Sequence, residues 1–145
     1  MEQLISGVYM TPLKIIEAEK GNVLHVLKNS DESYKGFGEA YFSTVNFEVF
    51  KGWKMHQEMT LNIVVPTGII QFYFLHQAKE NGKISKATAI LSQDNYFRLT
   101  VEPGIWMGFK GLGKELNLLL NIASIPHNPS EAINAQSDFW MKYFD

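Results

Sequence analysis

The chain has no cysteine. That removes disulfides, zinc–thiolate centres, iron–sulfur clusters and a thiol nucleophile, and it fits a reducing, cytoplasmic setting. No apolar run approaches the roughly 18 residues of a membrane-spanning helix, so no membrane insertion is expected. The first stretch, MEQLISGVYMTPLKII, has an early Glu and no long apolar centre, so it does not read as a signal peptide. An excess of positive charge is missing too. Thirteen Lys and Arg stand against fifteen Asp and Glu, a net charge of −2. Without a basic face, nucleic acid is not an expected partner. No glycine-rich phosphate loop opens a helix, and no GxSxG turn occurs. Helical spacing itself is scarce. The one candidate is Glu115 to Ile122 with its four leucines. Asn121 and the loop that follows favour a strand there.

What the chain has instead is aromatic and alternating. Ten Phe, six Tyr and three Trp make up 13% of the residues, suited to a pleated, half-buried surface. Alternating runs cover 38–47, 49–56, 59–65, 69–76, 84–92, 96–102, 105–111 and 116–123. Residues 10–28 read as a hairpin about Lys20-Gly21-Asn22. The 59–65 run is expected to end at Pro66-Thr67-Gly68, because proline cannot donate to a ladder. About ten short strands with turns every eight to twelve residues predict an all-β sandwich or barrel. The length, 145 residues, predicts one domain spanning 1–145. After Pro126 the pattern fades, and Phe139, Trp140, Tyr143 and Phe144 are expected to pack back on the body or on a partner chain.

Candidate chemistry centres on FKGWKMHQEMTLNIVVPTG, residues 50–68. Lys54 and His56 are two apart and share one strand face. Thr60 and Asn62 share a face in the next run and extend that polar surface. Either His56 or Lys54 can take a proton from a carbon beside a carbonyl, given a histidine near neutrality or a desolvated lysine. The plain alternative is a solvated strand face. His25 reads as structural, His76 as a strand-end residue and His127 as a loop histidine in SIPHNPSE. Four histidines without HxH spacing make a thin metal set, so no metal is assigned. Trp106, Met107 and Phe109 follow a tight turn. They are core, or a stacking surface for a sugar or base.

Three stretches carry a resemblance: KGWKMHQEMTLNIVVPTG, DNYFRLTVEPGIWMGFKGLG and NLLLNIASIPHNPSE. In this order they resemble the dTDP-4-dehydrorhamnose 3,5-epimerase family over about residues 38–132. The resemblance implies a cupin jelly roll and a homodimer joined through its N-terminal strands. It also implies a cofactor-independent epimerase of a nucleotide-linked 4-keto-6-deoxy sugar, working in surface-polysaccharide synthesis. In the family a histidine removes the proton beside the ketone, and a tyrosine on the other face returns one. Carried over, the arginine-glycine-leucine-histidine pattern falls on Lys51-Gly52-Trp53-Lys54, with His56 two places on. Lys51 then takes the phosphate role as a point charge. The tyrosine position falls near Pro126-His127, the family's second histidine on Met107, and its carboxylate close to His76. The expected base is therefore His56 or Lys54. The expected acid is His127, Tyr41 or Tyr73, with Lys51, Thr60, Asn62, Tyr73 and Trp106 binding substrate. Two alternatives stay open: an inactive cupin that binds a nucleotide sugar or a partner enzyme, and a metal-dependent cupin enzyme.

Overall fold

Period-two alternation does set the architecture, and a computed structural model describes residues 1–144. Thirteen strands occur among the described residues. They are β1 (Glu2–Ile5), β2 (Val8–Pro12), β3 (Ile15–Ile16), β4 (Val23–Leu24), β5 (Glu39–Thr44), β6 (Phe50–His56) and β7 (Leu61–Thr67). Then come β8 (Ile70–Gln77), β9 (Ile84–Leu91), β10 (Phe97–Val101), β11 (Trp106–Gly111), β12 (Leu118–Ala123) and β13 (Ala132–Asn134). From β5 to β8 successive strands alternate between two antiparallel sheets. One has the order β1-β2-β10-β7-β12-β5, the other β13-β6-β11-β8-β9. β3 and β4 form the hairpin expected around Gly21. Two antiparallel sheets wound alternately make a cupin jelly roll.

Side chains facing inward from both sheets form the main core. Leu61, Ile63 and Val65 of β7 meet Ile70, Phe72 and Phe74 of β8, with Leu99, Val101, Leu119 and Ala123 around them. In the leucine run, Leu118 to Leu120 are strand, as expected from Asn121, and Leu116 lies just before it. Leu119 and Ala123 point in, while Leu118, Leu120 and Ile122 face out. Helical packing of that run would need a stripe every three to four residues, and the sheet offers a partner every two.

β7 runs through Pro66 to Thr67 rather than stopping before the proline. The reason lies in its neighbours. β10 pairs only with Leu61 to Ile63, so by Pro66 that flank has no ladder to break.

Both outer faces are covered. On the six-stranded sheet, Asn62 donates to the Ser33 carbonyl at 3.1 Å and accepts from Thr100 Oγ1 at 2.6 Å. Arg98 donates to the Val26 carbonyl at 2.7 Å and to Ser33 Oγ at 2.7 Å. These bonds pin the polar 25–33 loop on the sheet. On the five-stranded sheet the last residues fold back over Trp53, Tyr73, Leu75 and Trp106. Phe144 stacks on Trp53 with ring centroids 5.7 Å apart, and Trp140 meets Trp106 at 5.9 Å. The tail aromatics therefore pack on the body, and the tail also contributes β13 to the edge of β6. No helix among the described residues is long and apolar enough to cross a membrane.

Candidate active site

β6 carries the polar groups, and an irregularity in it turns them to one side. Lys51 sits opposite Phe109 and Lys54 opposite Met107, so three steps on β6 span two on β11. The extra residue lets Lys51 and Lys54, three apart, both face the space between the sheets. Gly52 makes the close approach possible. Its φ is +146°, and a Cβ there would lie 2.6 Å from Gly108 Cα. Trp53, only 1% exposed, goes to the opposite face, where its indole N–H donates to the Ser137 carbonyl at 3.0 Å.

The space is a cavity of about 390 Å³. Leu61, Ile63, Met107, Phe109 and Leu119 make its apolar wall. Its polar groups are Tyr41, Ser43, Lys51, Lys54, His56, Asn121 and Asn134. A cavity of that size with a few convergent polar groups is typical of small-molecule sites.

His56 is the histidine of this cavity. Its Nδ1 bonds Oε1 of Glu131, which is buried. The other Glu131 oxygen accepts the backbone N–H of Gln57, Glu58 and Met59 at 3.2, 3.1 and 3.3 Å. Burial alone would push this carboxyl up. The hydrogen bond from His56, the Glu58 N–H, the charge of His56 and the Met59 N–H outweigh it and hold the carboxyl below the usual glutamate value. Glu131 is thus an ionised acceptor, so the proton between the two side chains belongs to His56 Nδ1. In the neutral imidazole the unprotonated nitrogen is then Nε2. Glu131 arrives there by local chain chemistry. The Asn128 side chain accepts from the Ser130 N–H at 3.1 Å and caps a single 3₁₀ turn, Pro129–Glu131, with proline at its start. β13 then pairs Ala132 with His56 and Asn134 with Lys54, placing Glu131 beneath the 57–59 turn.

On the opposite sheet, β5 and β12 bring Tyr41 and Asn121 side by side. Asn121 Nδ2 donates to the Tyr41 hydroxyl at 3.0 Å. Lys51 Nζ donates to Ser43 Oγ at 3.2 Å and to the Thr44 carbonyl at 3.0 Å, and it lies 5.6 Å from the Phe109 ring centroid.

The structure gathers Lys51, Lys54, His56 and Tyr41 of the residues named from sequence. It separates the others. Leu61 and Ile63 face the cavity, so Thr60 and Asn62 point to the far side of β7, where Asn62 is consumed by Ser33 and Thr100. β6 and β7 also lie in different sheets, so their polar faces do not join. Tyr73 and Trp106 lie on the outer face of the five-stranded sheet with the tail aromatics. His127 is exposed on its loop and does not line the cavity. His76 lines a different depression with Gln57, Lys79 and Trp106. The carboxylate beside the histidine is Glu131, not a group near His76. Sequence reading missed Glu131, Asn121, Ser43 and Asn134. The one local signal for Glu131 was the Asn-Pro-Ser-Glu cap, which marks a turn but not what the turn faces. Among the described residues no group of three His, Asp or Glu is arranged to hold a metal ion.

A jelly roll with a histidine–carboxylate pair inside and a tyrosine on the facing sheet defines a cupin of the sugar epimerase and isomerase class. Comparison with known proteins gives the family. A dTDP sugar isomerase from Desulfovibrio desulfuricans G20 is 34% identical, with a TM-score of 0.88 over 93% of this chain and 87% of that one. At that identity and coverage, the protein belongs to the dTDP-sugar isomerase family, whose fold is that of dTDP-4-dehydrorhamnose 3,5-epimerase. The Sulfolobus tokodaii dTDP-4-dehydrorhamnose 3,5-epimerase shares the fold at 21% identity and a TM-score of 0.82, covering 94% of this chain and 81% of its own. So does the sugar 3,4-ketoisomerase QdtA of Thermoanaerobacterium thermosaccharolyticum, at 16% identity and 0.76 over 97% and 96%. A curated relative is the spore coat polysaccharide biosynthesis protein SpsL of Bacillus subtilis (strain 168). It is 22% identical over 130 residues, 88% of this chain and 85% of SpsL. No family model matches the chain.

Proposed function

We propose that the protein is a cofactor-independent epimerase of a nucleotide-linked 4-keto-6-deoxy sugar, serving surface-polysaccharide synthesis. The observation that carries this reading is His56, bonded to buried Glu131, in the same cavity as Tyr41 of the opposite sheet. His56 Nε2 takes the proton from the carbon beside the ketone, and the electron pair moves onto the carbonyl oxygen as an enolate. Glu131 holds the tautomer and stabilises the imidazolium that results. Lys54 supplies a cation for the enolate oxygen, and Asn134 a polar amide beside it. Tyr41 gives a proton to the other face of the carbon, which inverts it. Lys51, with Ser43 beside it, takes the nucleotide's phosphate. An inert binding cavity has no need of an oriented histidine, so the catalytic reading is preferred. In this reading the protein is a cytoplasmic homodimer joined through its N-terminal strands, and β1 at the open edge of the six-stranded sheet supports that interface.

The test is incubation with several nucleotide-linked 4-keto-6-deoxy sugars in heavy water. Deuterium is expected at C3 or C5 with inversion there. No incorporation with any of them would leave a nucleotide-sugar binding protein instead. Light scattering at micromolar concentration checks the dimer, and a monomer would remove that part.

A further inference from the structure

Asn121 is 2% exposed in the middle of β12, yet its amide is only half used. Nδ2 donates to the Tyr41 hydroxyl, and Oδ1, also buried, has no protein partner. Buried amides are normally satisfied at both ends, and a lone acceptor in the wall of a cavity marks a place where a ligand donor belongs. The bond to Tyr41 has a direction with consequences. A phenol oxygen that accepts from Asn121 keeps its own proton free to turn elsewhere, and the cavity is where Tyr41 faces. The same bond favours the phenolate that remains after the proton has left.

We propose that Asn121 positions Tyr41 as the proton donor and that its free carbonyl accepts a hydroxyl of the sugar. This rests on the epimerase reading above. In the step concerned the Tyr41 O–H bond breaks and a C–H bond forms on the face opposite His56. The O–H electron pair stays on the phenolate, which Asn121 Nδ2–H holds until water reprotonates it. The proton taken by His56 returns to water separately. Asn121 touches a sugar hydroxyl but not the reacting carbon, so it governs direction and fit and not the bond making itself.

The experiment compares the whole wild-type protein with Asn121→Leu and Asn121→Asp, using tyrosine labelled with carbon-13 at Cζ. The Tyr41 signal is identified by its loss in Tyr41→Phe. Removing the amide donor is expected to raise the Tyr41 titration by about one pH unit. Asn121→Asp keeps the shape and raises it further, and serves alone if the leucine variant does not fold. An unmoved or lowered titration would overturn the proposal, the latter because it would mean that the amide accepts the phenol's proton. Calorimetry supplies the second arm. Affinity for dTDP-linked sugar is expected to fall about tenfold in Asn121→Leu, as for one lost hydrogen bond, with affinity for dTDP alone unchanged. Equal losses for both would overturn the hydroxyl contact. With a sugar that the wild type epimerises, inversion should fall about tenfold more than exchange at the same carbon. Parallel falls would count against positioning. Absence of exchange in the wild type would defeat the epimerase reading, while the titration still decides the Asn121–Tyr41 bond.

Discussion

His56 Nδ1 is bonded to Glu131, a residue 75 positions further along the chain. That bond decides which nitrogen of the imidazole is free. With Nδ1–H committed to an ionised carboxylate, Nε2 is left as the basic atom in the cavity. Glu131→Gln preserves the shape but offers a weaker acceptor, or turns an N–H donor toward His56 and favours the wrong tautomer. Deuterium wash-in is expected to fall by about 10²–10⁴-fold while the circular dichroism spectrum is unchanged. His56→Gln should abolish it. Wash-in within a factor of two of the wild type in either variant would remove the pair from catalysis.

Glu131 also ties stability to pH. Its carboxyl in the folded chain lies below the ordinary glutamate value. A depressed carboxyl stabilises the fold at pH above its unfolded value, near 4.3. That stabilisation is lost as pH falls through the folded value. Denaturant unfolding of wild type and Glu131→Gln should differ by about 2–4 kcal/mol at pH 7, because three backbone N–H groups lose their charged acceptor. The gap should narrow as pH falls below that unfolded value. A gap independent of pH would mean that the charge on Glu131 contributes nothing to folding.

Lys51 makes its two hydrogen bonds to Ser43 Oγ and the Thr44 carbonyl, and its Nζ lies 5.6 Å from the Phe109 ring centroid. These contacts hold a positive charge at the cavity without neutralising it. Lys51→Met keeps the stem and removes the charge. The dissociation constant for dTDP measured by calorimetry is expected to rise about tenfold or more, the value of one charge-assisted contact. Unchanged affinity would place the phosphate elsewhere.

The close approach of β6 and β11 yields a packing prediction. A Cβ at Gly108 would stand 2.2 Å from Cζ of Phe50. Gly108→Ala is expected to cost about 1–3 kcal/mol, because an aromatic ring in a packed sheet can shift only by moving its neighbours. Phe50 is held by Trp53 and Tyr73, with centroids 5.3 and 5.7 Å away. In a Phe50→Leu background the cost of Gly108→Ala should shrink by more than half. Additive costs would show that the ring is not what the new methyl meets.

Much of this protein follows from local pattern alone. Alternation and turn residues placed the strands between 38 and 123 and excluded a helix at the leucine run, because side-chain period is a property of neighbouring residues. The same rule put Lys54 and His56 on one face, and both line the cavity. Lys51 broke the rule, since the register shift opposite Phe109 and Met107 arises from contact between two strands and leaves no mark on either. Which face of a strand looks inward was beyond the sequence as well. Thr60 and Asn62 were polar in the right period, but Thr60 only precedes β7, and Asn62 lies in it on the other sheet, turned away from the cavity and bonded to a loop. Winding of the chain between sheets decided that. It also brought Glu131 beneath His56, and Asn121 against Tyr41 across 80 residues. Pairings at such separations depend on sheet order and loop path. The sequence determined a β-sandwich with a basic, histidine-bearing strand, and only the tertiary structure decided which carboxylate and which tyrosine face that histidine.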